Sequence, residues 1–207
     1  MLEPALKHYK YVRDNDKKNY KACCQIAILY LAKEDYESST EYLKKCLQTK
    51  PNYLPAVLTM GDLLSESDNF ETAIKYYNQA LALKPTEKRA ILGLAHAYYE
   101  CGNMDVALSY YKRVLKYETK NADVFYSMGN AYYMAGYHEQ AILCYQKTIK
   151  LDPSKAECFY NLGNAYCNDG KYIEAIQFYL RTIDLDPLHD PAFYNLGYVY
   201  HMTGHFE

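Results

Sequence analysis

Apolar residues recur three and four positions apart along most of the chain, the spacing that places side chains on one face of an α-helix. Two such stripes follow each other in residues 156–189, separated by a short polar stretch around Gly170. The first stripe consists of Phe159, Leu162, Gly163 and Tyr166. The second stripe consists of Tyr172, Ala175, Ile176 and Tyr179. The pattern predicts two amphipathic helices that pack against each other through these stripes.

The same pair of stripes returns at a fixed interval of 34 residues. Glycines that share one place in this register are Gly61, Gly129, Gly163 and Gly197, and alanines that share another are Ala73, Ala107, Ala141 and Ala175. A constant interval of this length indicates stacked helix hairpins, each in contact mainly with its neighbours. We therefore predict a single array over residues 1–207. It comprises a half repeat (1–19), full repeats 20–53, 54–87, 88–121, 122–155 and 156–189, and a second half repeat (190–207).

Glycine and proline mark the ends of the predicted helices. The glycines at repeat position 15 are Gly102, Gly136, Gly170 and Gly204, and the prolines at position 32 are Pro51, Pro85, Pro153 and Pro187. Glycine after a helix supplies a left-handed cap, and proline interrupts a helix interior. We therefore predict an all-α fold of twelve helices: one in 2–15, two in each full repeat, and one in 190–203.

Composition and charge exclude several classes of protein. Half of the residues are hydrophobic, and the formal net charge of −2 lacks the basic excess of nucleic-acid-binding proteins. No apolar run approaches the ~20 residues that a membrane-spanning helix needs. The seven cysteines show no paired metal-binding spacing. We therefore predict a reduced, intracellular protein, cytoplasmic or nuclear, without a metal, a cofactor, a nucleic-acid partner or membrane insertion.

Tyrosine is unusually frequent, with 26 residues and no tryptophan. Ten tyrosines occupy two places of the apolar stripes, repeat positions 11 and 24. Those at position 11 are Tyr30, Tyr98, Tyr132, Tyr166 and Tyr200, and those at position 24 are Tyr9, Tyr77, Tyr111, Tyr145 and Tyr179. Because both positions lie on the packing stripe, we predict that these rings belong to the core.

The run Phe159-Tyr160-Asn161-Leu162-Gly163-Asn164-Ala165-Tyr166, followed by Gly170, Tyr172, Ala175 and Asp186-Pro187, resembles the tetratricopeptide repeat. The resemblance extends over the whole chain. It implies a right-handed superhelical solenoid of antiparallel helix hairpins. Four positions depart from the pattern: Thr119 replaces the expected proline, Ser39 replaces the packed alanine, and Glu34 and Asp68 replace the turn glycine. The last two leave the regularity of the first two turns open.

In this family the first helix of each repeat lines a concave face, and the resemblance assigns nine residues of the later repeats to it. These are Tyr126, Asn130, Tyr133, Tyr160, Asn161, Asn164, Tyr194, Asn195 and Tyr198. In one interpretation the amides bind a peptide backbone between flanking tyrosines, as in the asparagine-lined groove of O-linked N-acetylglucosamine transferase repeats. In the other, the asparagines follow the repeat consensus and face water. The earlier repeats place Cys24, Leu58 and Thr59 on the same face.

The resemblance implies a protein–protein interaction scaffold that binds an extended peptide or a partner helix in this Tyr/Asn-rich groove. One alternative is a structural stacking segment of a large assembly, as in the anaphase-promoting complex or intraflagellar transport. Another is the targeting arm of an enzyme whose catalytic domain lies outside this chain. We find no nucleophile–base pair, phosphate-binding loop or paired-acid site, and therefore predict no enzymatic activity.

The two half repeats each leave an apolar stripe without its hairpin partner. Residues 2–15 form a second helix without a first, and residues 190–203 form a first helix without a second. Because each supplies what the other lacks, we expect head-to-tail self-stacking through a contact that does not close into a symmetric dimer.

His201 and His205 are four residues apart, but no third ligand accompanies them, which indicates surface histidines.

Overall fold

A computed structural model describes residues 2–204; Met1 and residues 205–207 lie outside the described residues. Within that range the chain forms twelve helices and no strand, as predicted. They are α1 (Leu2–Asn15), α2 (Tyr20–Leu31), α3 (Tyr36–Thr49), α4 (Leu54–Glu66), α5 (Phe70–Leu83), α6 (Lys88–Glu100), α7 (Met104–Leu115), α8 (Ala122–Met134), α9 (His138–Leu151), α10 (Ala156–Asn168), α11 (Tyr172–Leu185) and α12 (Asp190–Thr203).

The helices fall into two compact units, which we call the N-terminal unit (Met1–Asn103) and the C-terminal unit (Met104–Glu207). In the N-terminal unit, α2 packs on α3 and α4 on α5 as hairpins, and α1 and α6 pack on the outer helices of this series. In the C-terminal unit, α8 packs on α9 and α10 on α11, with α7 and α12 at the two ends. Each unit is thus a succession of helices in contact with their sequence neighbours. The single array over 1–207 stays a prediction.

The turns between the two helices of a repeat share one backbone conformation. Gly102, Gly136, Gly170 and Gly204 have φ between 74° and 79°. Glu34 (φ 60°) and Asp68 (φ 55°) adopt the same left-handed region although they carry side chains. The first two turns are therefore regular. Glu34 and Asp68 keep this conformation although a Cβ atom is sterically unfavourable in it.

Glycine at repeat position 8 lets the two helices of a hairpin approach each other closely. A Cβ atom added to Gly163 would lie 2.7 Å from Cε1 of Tyr179, and one added to Gly129 would lie 2.5 Å from Cε1 of Tyr145. Real Cβ atoms essentially never come this near, so the tyrosine ring fills the space that the glycine leaves open. The hairpin core is therefore built from a glycine on the first helix and a tyrosine on the second.

The tyrosines at position 24 are core residues, as predicted, with one exception. Tyr77, Tyr111, Tyr145 and Tyr179 are no more than 2% exposed. Those at position 11 are half-buried along the hairpin edges. The exception is Tyr9 in α1, which is 36% exposed, because within the described residues α1 has no preceding helix to cover this face.

Candidate partner-binding face

The nine predicted groove residues all lie on α8, α10 and α12, the first helices of successive hairpins in the C-terminal unit. We call them the Tyr/Asn face: Tyr126, Asn130, Tyr133, Tyr160, Asn161, Asn164, Tyr194, Asn195 and Tyr198. Tyr194 and Tyr198 are 79% and 49% exposed, and the other seven are half-buried. The structure therefore brings all nine together along neighbouring helices, with the most open end at α12.

The first layer of this face joins it to the core. The buried hydroxyl of Tyr145 donates a hydrogen bond of 2.9 Å to Oδ1 of Asn130. One repeat later, the hydroxyl of Tyr179 donates a bond of 2.8 Å to Oδ1 of Asn164. Each of these asparagines thus satisfies a phenol that is 1% exposed, and a buried donor without a partner is costly.

The second layer connects one repeat to the next. Nδ2 of Asn161 donates to the Tyr126 hydroxyl at 3.0 Å and to Oδ1 of Asn130 at 3.2 Å. This pattern recurs 34 residues later. Nδ2 of Asn195 donates to the Tyr160 hydroxyl at 3.2 Å and to Oδ1 of Asn164 at 2.8 Å. The amides therefore form a repeating ladder that holds adjacent first helices in register.

A further member of this ladder was not predicted from the sequence. Nδ2 of Asn168 donates a hydrogen bond of 2.7 Å to the Tyr133 hydroxyl. The donor lies 35 residues after the tyrosine, the same step that separates Asn161 from Tyr126 and Asn195 from Tyr160. A search for Tyr–Asn pairs at this step would have marked these three bonds as candidates, but not the bonds between asparagines.

The ladder corrects the expectation that the consensus asparagines face water. Asn130 and Asn164 are half-buried and accept two hydrogen bonds each from other side chains. Within the described residues, Oδ1 of Asn161 and Oδ1 of Asn195 accept no hydrogen bond from the protein. Neither oxygen is among the buried polar atoms that lack a partner, so both are accessible to solvent, and the bonds of their own Nδ2 atoms fix them in place.

The residue before α10 and the residue before α12 each cover one tyrosine of the face. Nζ of Lys155 lies 4.4 Å from the ring centroid of Tyr126 and 2.6 Å from Oδ1 of Asp123. At the next repeat the ring centroid of His189 lies 4.7 Å from that of Tyr160. The carboxylate of Asp123 thus lies at the border of the face, next to the ammonium group of Lys155.

His189 also shows how the chain builds the start of α12. Its Nδ1 accepts a hydrogen bond of 3.1 Å from the backbone N–H of Ala192, which caps the helix N-terminus. Its Nε2 lies 3.3 Å from Oε1 of Glu157. The imidazole is therefore a positioning group that connects α10, α12 and the ring of Tyr160.

Burial favours the neutral, hydrogen-bonding form of three phenols at or beneath the face. Loss of solvent raises the pKa of Tyr126 and Tyr133, and the amides of Asn130 and Asn168 partly offset this. Burial also raises the pKa of Tyr179. These three hydroxyls therefore keep their protons at a higher pH than a free phenol does.

The N-terminal unit does not continue the same chemistry. Cys24, Leu58 and Thr59, which the sequence placed on the face, are at most 6% exposed and belong to the core. The Tyr77 hydroxyl donates to Oδ1 of Asp62 at 2.8 Å, and the carboxylate of Asp62 also pairs with Arg89. An ion pair thus replaces the amide ladder in this unit.

Within residues 2–204, no group of three or more His, Cys, Asp or Glu side chains is arranged to hold a metal ion. His201 lies on the surface at the end of α12, and His205 lies outside the described residues. All seven cysteines are free thiols. None of the described helices has both the length and the apolar character needed to cross a membrane.

Family models match most of the chain. A model described as "TPR repeat" matches residues 95–136, 135–170 and 163–204. Two models described as "Tetratricopeptide repeat" match residues 64–107 and residues 20–53. No curated protein matches the chain significantly in sequence.

Several solved structures share the fold at low sequence identity. YrrB, described as "a TPR protein with an unusual peptide-binding site", is 18% identical with a TM-score of 0.79, over 90% of this chain and 96% of that chain. MamA from Desulfovibrio magneticus RS-1 is 21% identical with a TM-score of 0.78, over 83% and 97%. PilW, a type IV pilus biogenesis factor, is 18% identical with a TM-score of 0.82, over 94% and 90%.

Proposed function

Because the chain belongs to the tetratricopeptide repeat family, a family of protein-interaction scaffolds, we propose that its Tyr/Asn face binds an extended peptide or a helix of a partner protein. The observation that carries the proposal is the amide ladder, which fixes half-exposed tyrosine rings and two open carbonyl oxygens at a constant interval. A preformed surface loses little conformational entropy on binding.

The open groups define the peptide that this face accepts. Oδ1 of Asn161 and Oδ1 of Asn195 are acceptors 34 residues apart, so they receive backbone or side-chain N–H groups. Tyr194 and Tyr198 offer large rigid surfaces with a polar tip, which suits apolar side chains of a partner. The similar structure of YrrB, with its peptide-binding site, supports a peptide as ligand.

The experiment uses selection from a library of random linear peptides displayed on phage, with the whole chain as bait. We expect selected peptides to bind the chain and to lose at least tenfold in affinity when Tyr194→Ala and Tyr198→Ala are combined. Truncation of an anchor at the centre of an interface costs upward of ~1 kcal/mol. These two rings are exposed, so their removal leaves the core and the ladder intact.

The matched control combines Tyr117→Ala and Tyr137→Ala, which are 47% and 52% exposed and lie outside the face. This variant should bind the selected peptides as the unaltered chain does. Equal binding by both double variants, or failure to select any peptide, would refute the proposed site. Asn130 and Asn164 are unsuitable for this test, because their removal unpairs buried phenols and disturbs folding.

A further inference from the structure

Three phenols of the Tyr/Asn face have hydroxyl protons without an acceptor in the described part of the chain. The hydroxyls of Tyr126, Tyr133 and Tyr160 each accept a hydrogen bond from an asparagine amide, at 3.0, 2.7 and 3.2 Å. The core phenols of Tyr145 and Tyr179 differ, since they donate to asparagine oxygens. A phenol both donates and accepts, so the three hydroxyls of the face are fixed as acceptors and left to donate to a ligand oxygen.

These donors recur from one first helix to the next. Tyr126 on α8 and Tyr160 on α10 share one repeat position, and α8 contacts α10. Asn161 on α10 reaches the Tyr126 hydroxyl on α8 directly. Because helices in contact lie ~8–10 Å apart, equivalent groups of the face repeat at about that distance.

This interval matches one conformation of a bound peptide. A polyproline II helix has three residues per turn and rises 3.1 Å per residue, so the same side of the peptide returns every ~9 Å. A β-strand turns residues that are three apart to opposite faces. An α-helix uses its N–H and C=O groups internally, whereas a polyproline II helix leaves all of them free for the phenols and for Oδ1 of Asn161.

The charges at the border of the face favour an uncharged peptide. Nζ of Lys155 lies 2.6 Å from Oδ1 of Asp123, and Nε2 of His189 lies 3.3 Å from Oε1 of Glu157. Each group at this border is thus already next to a partner within the protein. Proline supplies an apolar ring and a carbonyl acceptor but no N–H, which suits tyrosine rings with free hydroxyl protons.

We propose that the ligand of the Tyr/Asn face is an uncharged, proline-rich segment in the polyproline II conformation. Its prolines pack on the tyrosine rings, and its carbonyl oxygens accept from the hydroxyls of Tyr126, Tyr133 and Tyr160. Residues other than proline, three apart, present the N–H groups that Oδ1 of Asn161 and Oδ1 of Asn195 accept. This inference rests on the proposed peptide-binding function and adds the chemistry and conformation of the peptide.

Titration calorimetry of the whole chain with a peptide of four Ala-Pro-Pro triplets tests the proposal. The control ligand is the same peptide built from D-amino acids, which has the same composition but forms a helix of the opposite hand. We expect the all-L peptide to bind at least tenfold more tightly than its mirror image. Peptides selected from the phage library should also carry prolines three residues apart.

Variants of the chain test the role of the hydroxyl protons. Tyr133→Phe combined with Tyr160→Phe keeps both rings, and Asn195 keeps its bond to Asn164. This double variant should bind the all-L peptide at least tenfold more weakly than the unaltered chain. Tyr117→Phe combined with Tyr137→Phe, at exposed sites outside the face, should bind it unchanged. Circular dichroism checks that all variants fold, and Tyr133→Phe alone, which removes only the bond from the exposed Asn168, serves if the double variant does not.

Four results would overturn the proposal. Two are equal binding of the two mirror-image peptides and equal binding of the all-L peptide by the two double variants. The third is selection of proline-free peptides that bind at Tyr194 and Tyr198 while the all-L peptide does not bind. In that case the proposed function stands and the polyproline II ligand is wrong. The fourth is failure of every peptide to bind, which would refute both.

Discussion

Glu34 and Asp68 carry the clearest local strain in the described residues, since each adopts the left-handed conformation that glycine adopts in the later turns. A Cβ atom in this region costs roughly 1–2 kcal/mol, and asparagine and aspartate tolerate it better than longer side chains. The neighbouring backbone bonds, such as Asp35 N–H to the Tyr30 carbonyl at 3.0 Å, hold the turn in place.

We expect Glu34→Gly to stabilise the chain by roughly 0.5–1 kcal/mol, because relief of the strain exceeds the greater flexibility of glycine in the unfolded state. Asp68→Gly should stabilise the chain by a smaller amount, because aspartate tolerates the left-handed conformation better than glutamate does. The matched reverse change, Gly170→Glu, should destabilise by a similar amount, since Gly170 has φ 74° and open space around it. Urea unfolding of the three variants provides the measurement, and a loss of stability in Glu34→Gly would contradict this account.

The asparagines of the ladder combine two roles within one side chain. Asn164 accepts from a buried phenol and from the next repeat, whereas Asn168 makes a single exposed bond to Tyr133. The Asn164 amide therefore supports the buried core, whereas the Asn168 amide makes its bond at the protein surface.

We expect Asn164→Ala to destabilise the chain by ~1–3 kcal/mol, because the hydroxyl of Tyr179 loses its acceptor in a buried site. Asn168→Ala is the control and should stay within about ±0.5 kcal/mol, as exposed substitutions usually do. Thermal unfolding of both variants, followed by circular dichroism, gives the comparison. An equal loss of stability in the two variants would show that the bond to Tyr179 contributes no more than the exposed bond to Tyr133.

Between elements, the decisive contact is the glycine–tyrosine pair that closes three of the hairpins, α4–α5, α8–α9 and α10–α11. The pair depends on the absence of a side chain at one position and a full aromatic ring at the other, so neither residue is replaceable alone. Gly93 shows a related contact between hairpins, since a Cβ atom added there would lie 2.4 Å from Cζ of Tyr77.

We expect Gly163→Leu to destabilise the chain by ~1–3 kcal/mol through overpacking against Tyr179. Gly197→Leu is a matched control at the same repeat position, with open space around it, and should leave stability unchanged or slightly raised by better helix propensity. Chemical denaturation at dilute concentration compares the two. A large loss in Gly197→Leu would show that helix geometry, and not the tyrosine ring, governs this position.

Helix positions were predictable from the sequence, because glycine at position 15 and proline at position 32 mark most turns, and the constant register places the remaining ones. The predicted helices 2–15 and 190–203 coincide with α1 and α12. The bond from Asn161 to Tyr126 was not predictable in the same way, because it depends on the distance between neighbouring first helices. The burial of Cys24 and Leu58 was missed because family positions alone carry no information on local packing.

At the scale of the molecule, each compact unit has helices with two neighbours and helices with one. Within their units, α12 packs mainly on α11 and bonds to α10 through Asn195, and α1 packs mainly on α2. In linear arrays, stability is the sum of repeat and neighbour terms, so a helix with one neighbour has less to hold it.

We expect amide hydrogen exchange in dilute solution to be fastest in α1 and α12 and slowest in α10 within the C-terminal unit, since α10 packs between α9 and α11. Mass spectrometry of peptic fragments resolves these helices. Uniform exchange across α8–α12 would contradict a neighbour-based account.

The buried phenols have a consequence for the proton balance of folding. The pKa of Tyr77 and of Tyr179 is raised by burial, so both hydroxyls keep their protons at pH values where an unfolded chain, with pKa ~10, releases them. Stability is therefore fully present below pH ~10 and falls as the pH rises further. Folding in alkaline solution must take up protons from the buffer. We expect calorimetric unfolding enthalpies there to vary with the ionisation enthalpy of the buffer, and to vary less in Tyr179→Phe.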